Sequence, residues 1–138
     1  MNAYGYLTGK TQPVTGPLIQ VSEQRLQELI RTLLPMVEVN ERWYRENNPD
    51  VDEAIGAGEM ASARDHYIAS GYFEDRLPRP IRVDEAWYLN EYPDVRDAIR
   101  VGTFASAFQH FMVSGYKEGR MPQPGWSLLK PASSRQTQ

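Results

Sequence analysis

The two histidines, His66 and His110, are the side chains of this 138-residue chain best suited to chemistry near neutral pH. An imidazole can transfer a proton or bind zinc. The two lie 44 positions apart, each within the sequence Ser-Ala-x-x-His. Equivalent residues of a repeat are normally held about one repeat apart, which favours a local hydrogen-bonding role for each imidazole over a shared zinc or pH-sensing site. A zinc site would also need further ligands, because zinc takes three or four.

Two aromatic pairs, Trp43-Tyr44 and Trp87-Tyr88, recur at the same spacing. Such rings could stack on sugars. On a helix, however, neighbouring side chains point about 100° apart, so only one ring of each pair can lie fully in the core. We predict that the tryptophan is the buried member and that the tyrosine ring lies at the edge with its hydroxyl in water.

Two pairs of opposite charge, Asp50 with Arg76 and Asp94 with Arg120, also recur. We predict a bidentate salt bridge in each case, which would fix a closing turn to the start of a helix; an anion site is the alternative. The chain has no cysteine, hence no thiol nucleophile or thiolate metal site. No phosphate-binding loop, nucleophile elbow or zinc-protease motif occurs. The sequence therefore indicates no enzyme, cofactor or metal.

All these residues belong to one stretch that occurs twice. Residues 39–80 and 83–124 align without a gap, and 21 of the 42 positions are identical. Self-similarity at one fixed period is the signature of a repeat architecture. The sequence predicts an all-α fold with two tandem three-helix repeats of about 44 residues, repeat 1 over 38–82 and repeat 2 over 83–125.

Each repeat carries the same helix boundaries. An N-cap residue precedes the first helix, a proline opens the second, and a serine opens the third as part of a capping box. We predict that a left-handed glycine ends the third helix in a Schellman motif. The N-caps are Asn40 and Asp84, the prolines Pro49 and Pro93, the serines Ser62 and Ser106, and the glycines Gly71 and Gly115.

A further helix is predicted over 21–37, with Ser22 as its N-cap. Five apolar residues form one helical stripe, and Pro35 ends it. We interpret this helix as a cap on the repeats, with a homodimer seam through 22–34 as the alternative. The stripe consists of Leu26, Leu29, Ile30, Leu33 and Leu34.

Two tails flank these helices. Residues 1–20 are rich in glycine, proline and polar residues and are predicted to be a flexible arm. Residues 126–138 are predicted to be a C-terminal tail that is flexible after Leu129. Each contains apolar residues that could anchor a partner protein, and we expect those of the tail to pack onto repeat 2. The anchors are Tyr4, Tyr6 and Leu7 in the arm and Trp126, Leu128 and Leu129 in the tail.

The totals limit the classes of partner. The net charge is −3, with no basic patch, which disfavours nucleic acid. No run of about 18 apolar residues could span a membrane, and residues 1–20 lack the pattern of a signal peptide. We therefore expect a cytoplasmic protein.

The pattern from Trp87 to Pro122, WYLNEYPDV followed by SAFQHF and GYKEGRMP, resembles a short repeat of bacterial proteins. That repeat accompanies glycosyltransferases of surface-polysaccharide assembly and occurs in large secreted or surface proteins. Repeat 1 departs from it at Arg45, where leucine is usual, and at Asp75, where glycine is usual. The resemblance implies an accessory helical module with no catalytic residue.

Three functions are compatible with this sequence. The first is a non-catalytic adaptor for a protein partner, which the resemblance places in exopolysaccharide or cell-envelope assembly. The second is a carbohydrate-binding module that uses Tyr44 and Tyr88 for a polysaccharide. The third is a small metal- or histidine-dependent protein built on His66 and His110.

Overall fold

The structure, a computed structural model, describes residues 3–9 and 15–131, with the side chains of residues 3–5 excluded. All regular structure within those ranges is helical and no strand occurs there, which confirms the all-α prediction. The helices are α1 (Ala3–Thr8), α2 (Glu23–Leu33), α3 (Glu41–Asn47), α4 (Pro49–Gly56), α5 (Ala63–His66), α6 (Glu85–Glu91), α7 (Pro93–Arg100) and α8 (Ala107–His110).

Short turns of other helical types extend three of these helices. A 3₁₀ turn, Leu34–Met36, follows α2. Helix α5 continues as the π-helical turn Tyr67–Gly71 and the 3₁₀ turn Tyr72–Glu74, and α8 continues as the π-helical turn Phe111–Gly115. Helices α6, α7 and α8 begin 44 residues after α3, α4 and α5 respectively.

Local signals set these helix starts. The side chains of the four N-cap residues expected in the repeats accept a hydrogen bond from the backbone amide three residues later, as does that of Ser22 before α2. A proline occupies the first position of α4 and of α7. The amide-to-cap distances are 3.0 Å for Asn40, 3.1 Å for Asp84, 3.0 Å for Ser62 and 3.0 Å for Ser106.

The chain divides into two compact units. Of the described residues, unit 1 consists of 15–80 and 128–131 and contains repeat 1; unit 2 consists of 3–9 and 81–127 and contains repeat 2. Only Trp126 of the apolar tail residues joins the unit of repeat 2, as expected. Leu128 belongs to unit 1, where its carbonyl and that of Lys130 accept from the Arg79 guanidinium.

The core of unit 1 is aromatic. The Tyr67 ring packs edge-to-face against Tyr44, with ring centroids 6.0 Å apart, and against Tyr72 at 6.3 Å. All three rings are buried, together with Val51 from α4 and Leu34 after α2. Offset and edge-on contacts of this kind add to the free energy gained from burial alone.

Helix α2 buries less of its apolar stripe than the sequence predicts. Ile30 and Leu34 are buried, but Leu26, Leu29 and Leu33 remain 41%, 61% and 37% exposed. The side of α2 that carries Arg31 is held against the π-helical turn that follows α5, because the Arg31 guanidinium donates to the Ala69 carbonyl at 3.0 Å. This contact turns the other leucines towards solvent.

Part of the predicted flexible arm is a helix that packs within unit 2. Residues 3–8 form α1, and Tyr6 and Leu7 are buried. The Tyr6 ring stacks on Tyr116 with centroids 4.5 Å apart and meets Trp126 edge-on at 5.5 Å, while its hydroxyl donates to the Tyr116 carbonyl. The Ser127 hydroxyl donates to the Leu7 carbonyl at 2.6 Å. The Tyr4 side chain and residues 10–14 and 132–138 lie outside the described part.

Each repeat is closed by equivalent hydrogen bonds that join its end to its beginning. A backbone amide before the first helix donates to the carbonyl of the closing proline, and the residue after that proline donates back through its side chain. In repeat 1 the bonds are Asn40 N to Pro78 O at 3.0 Å and Arg79 Nη1 to Glu38 O at 2.9 Å. In repeat 2 they are Asp84 N to Pro122 O at 2.9 Å and Gln123 Nε2 to the carbonyl of Arg82, the residue directly before the repeat, at 3.0 Å.

The Schellman motif lies four residues beyond its predicted place. Gly71 is right-handed, with φ −57°, and the left-handed residues are Asp75 at φ 59° and Gly119 at φ 81°. The Arg76 amide donates to the Gly71 carbonyl, and the Arg120 amide to the Gly115 carbonyl, both at 2.9 Å. These are the long-range bonds of the motif. The prediction of a left-handed Gly71 and Gly115 is therefore wrong.

Asp75→Gly should stabilise the protein by about 0.5 to 1 kcal/mol, because a left-handed backbone strains a residue that has a Cβ. The equivalent Gly119→Ala should destabilise it by about 1 kcal/mol or more. Urea unfolding followed by circular dichroism measures both changes. If Asp75→Gly lowered the free energy of unfolding, the carboxylate would have a stabilising role that the backbone angle does not reveal.

Candidate functional site

A chain of polar side chains runs through repeat 1 from the core to the surface. The Tyr44 hydroxyl lies 2.9 Å from His66 Nδ1, and His66 Nε2 lies 3.6 Å from the Glu74 carboxylate. Arg76 Nε donates to Glu74 at 3.0 Å, and its two terminal nitrogens hold both oxygens of Asp50 at 2.9 and 2.8 Å. One network thus links four parts of repeat 1: helix α3, helix α5, the closing turn and the start of helix α4.

Repeat 2 contains the same network. The Tyr88 hydroxyl lies 2.8 Å from His110 Nδ1, and His110 Nε2 lies 3.9 Å from Glu118. Arg120 donates to Glu118 at 2.7 Å and holds Asp94 in a bidentate contact at 2.9 and 2.6 Å. The two salt bridges that the sequence predicts are therefore present.

Electrostatics keep the core end of the network neutral. Burial lowers the pKa of both histidines and raises the pKa of Tyr44 and Tyr88, because a low-dielectric interior penalises the charged form. The carboxylate beside Nε2 favours the tautomer with its proton there, so Nδ1 accepts a bond from the tyrosine hydroxyl. In this state each imidazole satisfies a buried hydroxyl.

The predicted placement of the aromatic pairs is wrong. Tyr44 and Tyr88 are fully buried, while Trp43 and Trp87 are only partly buried. The reason is that the histidine lies at the core side of the third helix and offers the tyrosine hydroxyl a partner, which removes the cost of burying that hydroxyl. A buried tyrosine cannot stack on a sugar or contact a partner protein, so Tyr44 and Tyr88 are not binding residues in this structure.

Gly71 and Gly115 make room for the tyrosine hydroxyls. A Cβ at Gly71 would stand less than 3.0 Å from the Tyr44 hydroxyl oxygen, and one at Gly115 would stand equally close to that of Tyr88. Glycine is thus required at these positions because the tyrosine side chain approaches the backbone closely, and not because the backbone adopts a left-handed angle. Glycine is the only residue that leaves the Tyr–His bond intact here.

The outer end of the network depends on pH. The hydrogen bond from Arg120 lowers the pKa of Asp94 from 3.8 to about 2, although this carboxylate is mostly exposed. A carboxyl group whose pKa is lower in the folded state stabilises the fold above its ordinary pKa, and that stabilisation disappears as the pH falls.

Asp94→Asn should therefore flatten the dependence of stability on pH between about pH 4 and pH 2. At neutral pH we expect a loss of about 0.5 to 1 kcal/mol, since an exposed pair contributes little even in good geometry. Thermal unfolding across this pH range measures the effect, and Asp50→Asn should reproduce it in repeat 1. Parallel pH profiles for Asp94→Asn and the parent would contradict the assignment.

Glu41 and Glu85 have a role that the sequence analysis missed. The Glu41 carboxylate accepts from the amides of Ala63 and Arg64, both at 3.0 Å, and Glu85 accepts from the Phe108 amide at 3.1 Å. A carboxylate from α3 thus caps the N-terminus of α5 in repeat 1, and one from α6 caps that of α8 in repeat 2. Negative charge is favourable at a helix N-terminus. Identity of this residue in both repeats was the only signal that could have indicated it.

Most of the expected partner anchors lie inside the protein. Tyr6, Leu7, Trp126 and Leu128 are buried, and Leu129 is partly buried. The four buried side chains offer no contact area to another protein, whereas Leu129 keeps part of its surface exposed.

Repeat 2 exposes apolar residues that the sequence analysis did not select. Val101 is 77% exposed, Phe108 46% and Val113 57%. The equivalent residues of repeat 1 are Ala57, Arg64 and Ala69, of which Arg64 donates to the Pro35 carbonyl at 2.9 Å and Ala69 accepts from Arg31. The two positions that contact the α2 region in repeat 1 thus carry the exposed apolar side chains Phe108 and Val113 in repeat 2.

An open depression of about 400 Å³ lies on repeat 1. Its charged groups are already paired: Arg42 contacts Glu46 at 2.9 Å, and Arg45 contacts Asp52 at 2.5 Å. Glu41, which also lines it, caps the third helix. Repeat 2 has Ala86 and Leu89 in place of the two arginines, so the two arginine ion pairs of the depression have no equivalent there.

Comparison with known proteins gives no match: no protein-family model, curated protein or solved structure is significantly similar to this chain. Across residues 3–9 and 15–131, no group of three or more histidine, aspartate or glutamate side chains could hold a metal ion. No helix in that part of the chain is long and apolar enough to cross a membrane.

Proposed function

We propose that this protein is a non-catalytic adaptor, built from two tandem three-helix repeats, that binds a protein partner. The observation that carries the proposal is the use of the residues shared by the two repeats. In repeat 1 the Tyr44 hydroxyl bonds to His66, and Gly71 makes room for that hydroxyl. Arg76 pairs with Asp50 and Glu74, and the equivalent residues of repeat 2 make the same contacts. The side chains most capable of chemistry hold the fold, so function falls to the surface residues that differ between the repeats.

The partner surface is assigned to repeat 2. Val101, Phe108 and Val113 are exposed there, and aromatic residues such as phenylalanine are enriched at protein interfaces. Partly exposed apolar side chains of this size gain free energy when a partner covers them. We propose that the partner supplies an apolar segment, such as one face of an amphipathic helix.

The resemblance of Trp87–Pro122 to the bacterial repeat supports a role beside surface-polysaccharide synthesis. On that basis, we propose that the partner belongs to exopolysaccharide or cell-envelope assembly. Tyr44 and Tyr88 no longer support the carbohydrate-binding alternative, since their rings are buried.

The test exchanges surface residues between the repeats. A triple variant, Val101→Ala, Phe108→Arg and Val113→Ala, gives repeat 2 the residues that repeat 1 has at these positions. Partners are captured on the immobilised protein from the native cell and identified by mass spectrometry. We expect the triple variant to lose at least 90% of the captured partner, because these side chains form the apolar centre of the interface.

A matched control exchanges two exposed repeat 1 residues for their repeat 2 equivalents, Glu53→Asp and Glu59→Thr. It should capture as much partner as the parent. Full capture by the triple variant, with its circular dichroism unchanged, would overturn the assignment of the surface to repeat 2.

A further inference from the structure

Helix α2 and the 3₁₀ turn after it carry a second apolar face that is open to solvent. Leu26, Leu29, Leu33 and Met36 are 41%, 61%, 37% and 65% exposed. Their spacing of three, four and three residues is that of the seam between two paired helices. We call these four residues the α2 stripe. It lies apart from Ile30 and Leu34, which are buried in unit 1.

We propose that the α2 stripe pairs two molecules of this protein as an antiparallel homodimer. The pairing is isologous: the same surface of each molecule meets its equivalent across a two-fold axis. It goes beyond the proposed adaptor function and does not depend on it, because the residues concerned belong to unit 1 and the assigned partner surface to repeat 2.

The exposed area is sufficient for such a pair. Three residues before the helix, Leu18, Ile19 and Val21, are 93%, 85% and 52% exposed. With the α2 stripe they expose the equivalent of about four whole apolar side chains, on the order of 500 Å² at roughly 120 Å² for each. Two molecules together would bury about 1,000 Å² before any polar rim is counted, which is the lower limit for a specific interface.

The order of charges favours the antiparallel arrangement. Glu23, Arg25, Glu28 and Arg31 alternate along α2, which has no net charge, so two copies do not repel. When Leu26 of one molecule faces Leu29 of the other, Arg25 lies beside Glu28 of the other molecule, and the reverse contact forms by symmetry. The Glu28 carboxylate accepts a 3.4 Å hydrogen bond from Gln24, which leaves it available at the surface.

The same register uses the apolar residues before the helix. Because the two helices run in opposite directions, Leu18 and Ile19 of one molecule lie near Leu33 and Met36 of the other. This accounts for an extended segment with two nearly fully exposed aliphatic side chains directly before α2. In a parallel pair, by contrast, each of these residues would lie beside its own equivalent in the other molecule.

Sedimentation velocity from 1 to 500 µM tests the dimer. We expect a reversible monomer–dimer equilibrium with a Kd on the order of 10 µM, since an interface near the lower size limit leaves little free energy after the cost of association. Leu29→Glu should raise the Kd at least 100-fold, because it places two like charges in the centre of the interface. A single monomeric species at 500 µM would overturn the proposal, including the case in which residues of the same chain cover the stripe.

Val101→Glu is the matched control, because it places the same charge on another exposed aliphatic residue, in repeat 2. It should leave the Kd of the dimer unchanged within twofold while it abolishes partner capture, and Leu29→Glu should do the opposite. The two proposals can therefore fail separately. A Kd for Leu29→Glu equal to that of the parent, with unchanged circular dichroism, would overturn the dimer.

A charge exchange tests the direction of the helices. Arg25→Glu and Glu28→Arg should each weaken the dimer three- to tenfold, and the double variant should return to within twofold of the parent. The chain has no cysteine, so single cysteines at position 26 or 29 can also be used. A mixture of Leu26→Cys and Leu29→Cys proteins should give the mixed disulfide in preference to either homodimer. A preference for the two homodimers would overturn the antiparallel register.

Discussion

Gly115→Ala should destabilise the protein by about 3 kcal/mol, although it adds one methyl group to a helical glycine of ordinary φ. The new Cβ would displace the Tyr88 hydroxyl from its place against the backbone. The displacement combines overpacking of a dense core, roughly 1 to 3 kcal/mol, with loss of the bond from Tyr88 to His110, roughly 1 to 3 kcal/mol. Urea unfolding at pH 7 followed by far-ultraviolet circular dichroism measures the change.

Gly56→Ala is the matched control. Gly56 is also helical, at the end of α4, and a Cβ there meets nothing within 4 Å. The same substitution should be neutral or stabilising by up to about 1 kcal/mol, because alanine favours a helix over glycine. Equal stabilities for Gly115→Ala and Gly56→Ala would contradict the close approach.

A second variant identifies the atom responsible. In a Tyr88→Phe background the hydroxyl is absent, and the nearest remaining atoms to the new Cβ are His110 Nδ1 at 3.3 Å and Phe111 Cδ1 at 3.4 Å. Gly115→Ala should then cost at least 1 kcal/mol less than in the parent, since neighbours coupled through one contact are not additive. Additive losses would assign the cost to another contact.

Tyr88→Ala should cost about 3 to 5 kcal/mol, more than Trp87→Ala at about 1 to 2 kcal/mol, although tryptophan is the larger residue. Tyr88 is fully buried and packs edge-on against Phe111 with ring centroids 6.2 Å apart, whereas Trp87 is only partly buried. Truncation of a buried ring removes transfer free energy and leaves a cavity; a partly exposed ring loses less. Unfolding should be followed by circular dichroism, because Trp87→Ala alters the fluorescence.

Tyr88→Phe separates the hydroxyl from the ring. It should cost about 1 to 3 kcal/mol, since it leaves His110 Nδ1 without its donor inside the protein. Tyr67→Phe is the comparison in repeat 1: that hydroxyl is buried and no partner for it is found in the described part of the chain. Removal of this hydroxyl should be neutral or stabilising, and repeat 2 already has Phe111 there. In the alanine comparison of the two rings, a larger loss of stability for Trp87→Ala than for Tyr88→Ala would show that the tryptophan is the buried member, as the sequence predicts.

The sequence predicted best where the physics is local. Ser62 and Ser106 cap the third helices, and Pro49 and Pro93 open the second, because such signals act within one helical turn. The Asp–Arg pairs were predictable because a charge at a helix start and a charge in a closing turn recur together. Each of these signals occurs in both repeats, so each prediction rests on two instances.

What the sequence could not fix was the rotation of each helix about its own axis. Trp43 and Tyr44 are both amphipathic, so the choice of the buried ring depends on a histidine from another helix, 22 residues away. Gly71 was misassigned for a similar reason: a left-handed turn and a close approach both require glycine, and only tertiary contacts distinguish them. The burial of Tyr6 depends on Tyr116, 110 residues away, and six residues of helix carry too little periodicity to indicate it.

The attachment of α1 to unit 2 bears on how the protein is made. The Leu7 carbonyl is satisfied by Ser127, 120 residues later in the chain. Unit 2 therefore cannot fold completely until the ribosome has synthesised almost all of the described residues. Helix α1 is made first but cannot pack until the residues around Ser127 have been made. Contacts of such long range slow folding. A bulky tag fused close to residue 3 would burden this last step, whereas a tag after residue 131 would leave it unobstructed.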